Sequence, residues 1–172
     1  MAATDSTRDA SSEAAEPRSP GTYGLLLTVA AVVVILDQIT KSLAMDRLAG
    51  GRSIDVIEGV LTLRLTLNSG GAFGLGQGFP LFFLGATIVI VVLILVWVRT
   101  LDDLSLAVPL GMVLGGGIGN ALDRLLRDTD GRVVDFVDLH VWPVFNVADA
   151  SITLGVVGIM WVTVRSGRAG AS

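Results

Sequence analysis

The strongest constraint in this sequence is a run without a single charge, FPLFFLGATIVIVVLILVWV, from Phe79 to Val98. About 20 apolar residues in a helix reach across the hydrocarbon core of a bilayer. A helix suits that medium because it satisfies its own backbone N–H and C=O groups where no water is present. Three further segments fit the same reading: about Tyr23 to Leu43, about Leu104 to Leu122, and about Val144 to Val164. Composition agrees, with 52% hydrophobic and 16% charged residues and a mean hydropathy of +0.72. A soluble domain carries about a quarter charged residues. The fold class expected is therefore an all-α membrane protein with four transmembrane helices, forming one unit over residues 21–166. A polar stretch, residues 1–20, reads as a disordered tail, and 167–172 as a short second one. Trp97, Trp142 and Trp161 fall near expected span ends, where indoles favour the interface.

Four spans place both termini and the short connection Arg99–Asp103 on one side, and the longer connections, 44–78 and 123–143, on the other. Arginine and lysine are spread over both sides, so charge alone does not orient the bundle. Within the first long connection, Leu61, Leu63, Leu65 and Leu67 alternate with Thr62, Arg64 and Thr66. A period of two marks a half-buried strand, and Asn68-Ser69-Gly70-Gly71 supplies a turn. A small sheet or curled ribbon over about 53–76, between helices 1 and 2 and lying at the membrane surface, follows.

Several chemistries are excluded. There is no cysteine, so disulfides and thiolate nucleophiles are absent. His140 is the sole histidine, which rules out a two-histidine zinc motif. No serine stands in a nucleophile-elbow context. A net charge of −4 and a pI of about 4.8 argue against nucleic acid. No metal or other cofactor is expected.

What remains is a set of acids and amides beside apolar sequence. Asp149 sits at the mouth of the fourth span, where a carboxylate is costly and usually marks a working site; it also reads simply as an acid favoured by a helix N-terminus. Asn146, Asp149 and Thr153 share a helical face. On the third span, Gly111, Gly115 and Gly119 form a close-packing stripe. Gly116, Asn120 and Asp123 share a face there, with Arg124 four residues after Asn120. VVDFVD offers two acids, Asp135 and Asp138, and spacing does not choose between them. Two carboxylates held close share one proton, and such a pair activates water without metal, thiol or histidine.

Five strings carry a resemblance: Asp37-Gln-Ile-Thr-Lys41, Asn68-Ser-Gly-Gly-Ala-Phe-Gly74, Gly119-Asn-Ala-Leu-Asp-Arg124, Val133-Val-Asp-Phe136 and Phe145-Asn-Val-Ala-Asp149. In this order, across residues 37–153, the chain resembles the lipoprotein signal peptidases (bacterial signal peptidase II). The resemblance implies that Asp135 and Asp149, rather than Asp138, are the catalytic aspartates. It implies that Asn68, Asn120, Arg124 and Asn146 line the substrate site or support the pair, and that Asp37, Lys41 and Asp123 are supporting residues. It implies an aspartyl endopeptidase of the cytoplasmic (inner) membrane, with cytoplasmic termini, an extracytoplasmic sheet and an active site near the outer leaflet. Its substrates would be diacylglyceryl-modified prolipoproteins, with membrane lipid around a monomer. The ribbon around Asn68 would cradle the substrate, and a loop carrying Asp135 would act as a lid. One departure is Gly71-Ala72, where the family commonly has two alanines.

Two rivals make different demands. A proton-coupled transporter would need a polar path through Asp37, Arg124 and Asp149, yet the Phe79–Val98 span has no polar centre. A non-enzymatic subunit held by the glycine stripe leaves the Asn68 ribbon unexplained.

Overall fold

In the computed structural model, the structure describes residues 20–70, 78–98 and 104–169. The expected N-terminal tail, the Gly71–Gly76 end of the surface ribbon, the 99–103 connection and residues 170–172 lie outside the described residues. Four helices and three strands follow one another: α1 Pro20–Leu48, β1 Ser53–Ile57, β2 Leu61–Asn68, α2 Pro80–Trp97, α3 Ala107–Leu126, β3 Val133–Asp138 and α4 Val147–Ala169.

Three helical stretches, Gly21–Gly51, Leu104–Leu126 and Val147–Gly167, are long and apolar enough to cross a membrane, while the apolar stretch Leu81–Trp97 is shorter. The helices overrun the expected spans. α1 continues past Leu43 to Leu48 and stops at Gly50 and Gly51, whose positive φ angles only glycine adopts without strain. α4 starts later than expected and runs on to Ala169, so Trp161 lies inside the helix rather than at its end.

α3 is the central helix and packs mainly on α1 and α4, with α2 against its side. The glycine stripe explains the closeness. A Cβ on Gly111 would lie 2.7 Å from the Leu26 carbonyl oxygen, and one on Gly115 would lie 2.6 Å from that of Ala30. On the other face, a Cβ on Gly116 would meet the Ala148 carbonyl oxygen at 2.5 Å. Leu26, Ala30, Leu110, Leu114, Ile94 and Val98 fill the core between α1, α2 and α3. Leu81, Phe82 and Leu93 on α2, and Leu154, Met160 and Trp161 on α4, stay largely exposed. So large an uncovered apolar surface suits lipid rather than water.

The sheet corrects the sequence reading. It is antiparallel with order β1-β2-β3, and its third strand comes from between α3 and α4, not from the ribbon between the first two helices. Val133, Val134, Asp135 and Phe136 are all buried. A strand covered on both faces loses its alternation and reads as a short apolar piece, which is why VVDFVD gave no strand signal. Asp135 therefore stands on a strand paired to β2 through Thr66, and not on a lid. Ala44, Leu48 and Phe136 form a second small core, with Leu63 and Leu65 packed against it. That core seats the sheet on the end of the bundle and brings β2, β3 and the start of α4 together.

Candidate active site

The start of α4 is fixed by its own sequence. Asp149 N–H donates to Asn146 Oδ1 at 2.9 Å, and Asn146 N–H donates back to Asp149 Oδ2 at 3.3 Å. This reciprocal capping box satisfies two backbone donors that a helix start leaves open. The bland reading of Asp149, a first-turn acid, is thus structurally true, and it ties Asp149 to Asn146.

Asn146 then reaches the other acid. Its Nδ2 donates to Asp135 Oδ1 at 2.6 Å, so a single side chain touches both carboxylate residues. Asn68 Nδ2 donates to Asp135 Oδ2 at 3.0 Å, and Asn120 Nδ2 to Asp149 Oδ1 at 2.8 Å. The orientation of each amide follows from what holds its oxygen. Asn68 Oδ1 accepts from Gly70 N–H at 2.9 Å, Asn146 Oδ1 from Asp149 N–H, and Asn120 Oδ1 from Lys41 Nζ at 2.9 Å. Each of those partners is donor-only, so each NH2 group is left facing a carboxylate.

Burial pushes the Asp135 carboxyl up to about 7, and the neighbouring Asp149 charge adds to the push, against the bonds from Asn68 and Asn146. Among the described residues, no lysine or arginine forms an ion pair with Asp135 or Asp149. Asp138 differs. Residues three apart on a strand point to opposite faces, and Asp138 pairs with Arg64. The hydrogen bond from Arg64 holds its carboxyl below the usual range.

A cleft of about 300 Å³ opens beside Asp149, lined by Phe83 and Thr87 of α2, Gly117, Asn120 and Arg124 of α3, Ile152 and Thr153 of α4, and the Trp142–Phe145 stretch. Arg124 Nη2 donates to the Gly70 carbonyl at 3.0 Å, and its guanidinium lies 5.9 Å from the Phe83 ring centre. Its Nε is buried without a hydrogen-bond partner among the described residues. Asp135 faces a smaller adjoining cavity of about 200 Å³. Asn68, Pro143 and Val144 line both spaces, so they form the wall between them.

The remaining sequence candidates gather behind the cleft. Lys41 Nζ contacts Asp37 Oδ2 at 2.8 Å and Asp123 Oδ2 at 2.9 Å, all three side chains being inaccessible to solvent. Two members were missed by sequence reading. Gln38 Nε2 donates to Asp123 Oδ1 at 3.1 Å, and Arg127 Nε donates to the same oxygen at 3.0 Å. Arg127 stands four residues after Asp123, a helical-neighbour signal that was available. Thr153 lines the cleft but spends its hydroxyl on the Asp149 carbonyl.

An apolar helical bundle with two acids joined through one asparagine at the edge of a small sheet is the arrangement of an integral membrane protein. The family model described as "Signal peptidase (SPase) II" matches residues 29–165. A lipoprotein signal peptidase from Mycobacterium leprae is 42% identical over 80% of this chain and 70% of the relative. One from Shouchella clausii is 43% identical over 74% and 85%. A solved structure, described as a bacterial membrane enzyme obtained in meso at 2.3 Å, matches with a TM-score of 0.77 and 32% identity, covering 84% of this chain and 90% of the other. The chain belongs to the signal peptidase II family and is an aspartic-type peptidase. Its apolar helices and its family make it a multi-pass protein of the cytoplasmic membrane.

Proposed function

We propose that this chain removes the signal peptide from diacylglyceryl-modified prolipoproteins, with Asp135 and Asp149 as the reacting pair. The observation that carries this reading is Asn146, which hydrogen-bonds both residues at once beside a cleft of about 300 Å³. We assign the pair's proton to Asp135, whose carboxyl is raised by burial to about 7, and the role of base to Asp149. Water attacks the scissile carbonyl carbon and gives a proton to Asp149, while Asp135 gives its proton to the carbonyl oxygen. The resulting diol collapses when Asp149 passes its proton to the leaving nitrogen and a diol hydroxyl returns one to Asp135. The C–N bond breaks and the pair regains its starting state, as in aspartic protease chemistry.

Asn68, Asn120 and Asn146 keep the two carboxylates in register, and Arg124, whose Nε has no partner among the described residues, offers it to a substrate carbonyl. Phe83, Ile152 and Thr153 extend the cleft into the bundle, a path suited to the acyl chains on the substrate. α2 is the fourth span: its 18 residues fall within the range of about 17–25 that reaches across a bilayer. Both termini then lie in the cytoplasm, and the sheet and the pair lie at the outer leaflet. The protein works as a monomer.

The test is cleavage of a purified diacylglyceryl prolipoprotein in detergent. Asp135→Asn and Asp149→Asn are each expected to abolish turnover while the protein stays folded, and Asp138→Asn to retain it. Turnover by either of the first two at the wild-type rate would sink the mechanism.

A further inference from the structure

The buried charges behind the cleft do more than neutralise one another. Asp37 Oδ1 accepts the Ala148 backbone N–H at 2.9 Å, and Asp123 Oδ2 accepts that of Val134 at 3.0 Å. Ala148 immediately precedes Asp149, and Val134 immediately precedes Asp135. Lys41 bridges the two acids and spends its third donor on Asn120 Oδ1, whose NH2 faces Asp149. An ammonium has three donors, and here each one has a role.

We infer that Asp37, Lys41 and Asp123 form a positioning clamp that fixes the backbone beneath both reacting aspartates and the orientation of Asn120. This inference rests on the reading of Asp135 and Asp149 as the reacting pair. Asp37 comes from α1, Asp123 from α3, and the amides they hold from α4 and β3, so the clamp links four elements through one cation. Gly119 belongs to it by omission: a Cβ there would lie 2.6 Å from Asp37 Oδ2. Gln38 and Arg127 close the outer side by donating to Asp123 Oδ1, leaving Oδ2 to Lys41 and Val134. Supporting groups of this kind hold a site to sub-ångström tolerance.

Two variants separate positioning from mere stability. Asp37→Asn with Lys41→Met keeps the buried charge balanced, because Arg127 still faces Asp123, and keeps an oxygen for Ala148 N–H; it removes the cation that joins Asn120 to Asp123, leaving Asn120 Oδ1 only the bond from Asn146 Nδ2 at 3.2 Å. With a misplacement of about 1 Å costing about a hundredfold in rate, kcat is expected to fall about that much. KM should stay close to wild type, and the pH dependence of kcat should move, because Asn120 loses the ammonium that helps to hold its NH2 on Asp149. A folded double variant with wild-type kcat and pH profile would overturn the clamp. The second variant, Asp123→Ala, is followed by amide hydrogen exchange. Val134 N–H is expected to exchange faster while the α1 and α3 amides keep their protection; unchanged protection at Val134 overturns the inference without reference to catalysis. Failure of wild-type protein to cleave a lipidated substrate would instead reject the function proposed above, with the exchange result still judging the clamp.

Discussion

Asp37 and Asp123 share Lys41, whereas Asp135 and Asp149 share Asn146 and, among the described residues, have no cation paired to them. The first pair stands on α1 and α3 and the second on β3 and α4, and both are largely shielded from water. The difference is the partner. A buried carboxylate beside an ammonium is bound by charge, and removing that ammonium exposes its full desolvation cost. A buried carboxylate beside neutral amides keeps its hydrogen bonds but not its charge compensation, so it tends to hold a proton. One pair is thereby suited to architecture and the other to proton transfer.

The comparison is broken most directly at its two ends. Asp149→Asn is expected to lower turnover by about 10³-fold or more, as loss of a reacting group does, with little change in thermal melting in detergent. Lys41→Met should do the reverse in kind: it strands the buried Asp37 and leaves Asp123 with Arg127, and is expected to cost about 3–5 kcal/mol of stability, read as a large drop in the detergent melting temperature. If Lys41→Met melts like wild type, the two pairs do not differ as argued.

Smaller changes sharpen it. Gly119→Ala pushes a methyl against the Asp37 carboxylate, and overpacking of this sort costs about 1–3 kcal/mol, measurable by the same melt. Asp135→Asn carries a pH signature. Its folded carboxyl is raised to about 7 from an unfolded value of about 3.9. Between those values the folded state binds the extra proton, so stability falls as pH rises through that window. Asparagine cannot ionise. The variant is therefore expected to gain stability over wild type at pH 8 and to gain much less at pH 5, while remaining inactive. An equal gain at both pH values would contradict the buried, uncompensated setting of Asp135. In wild type, kcat should decline as pH rises above about 7, when Asp135 gives up its proton. The least effect belongs to Asp138→Asn, which breaks an ion pair with the half-exposed Arg64. Its turnover should remain near wild type.

How much of this was legible beforehand depends on the range of the interaction. The Leu61–Leu67 alternation predicted β2, although the strand is partly covered on both faces, with Thr62 buried and Arg64 and Leu67 exposed. VVDFVD gave no such pattern because it is covered on both faces, so its place in the sheet stayed hidden. The Asn146–Asp149 capping box is a local motif whose two residues stand three apart in the chain, within the reach of sequence spacing. The glycine stripe was legible as close packing and lies where α1 and α4 approach α3. Asp135 and Asp138 looked alike because spacing along the chain records neither Arg64 nor Asn146.

The sequence by itself determined that the chain enters a membrane, since a long charge-free run has no other comfortable setting, and that its chemistry must come from acids and amides. Tertiary structure alone decided which acid faces which partner. Ala148 N–H and Asp37 lie 111 residues apart, Asn68 and Asp135 lie 67 apart, and Lys41 and Asn120 lie 79 apart. No periodicity reaches over such distances. A hydrogen bond operates within about 3 Å, and only the packing of α1, α3, α4 and the sheet brings these groups that close.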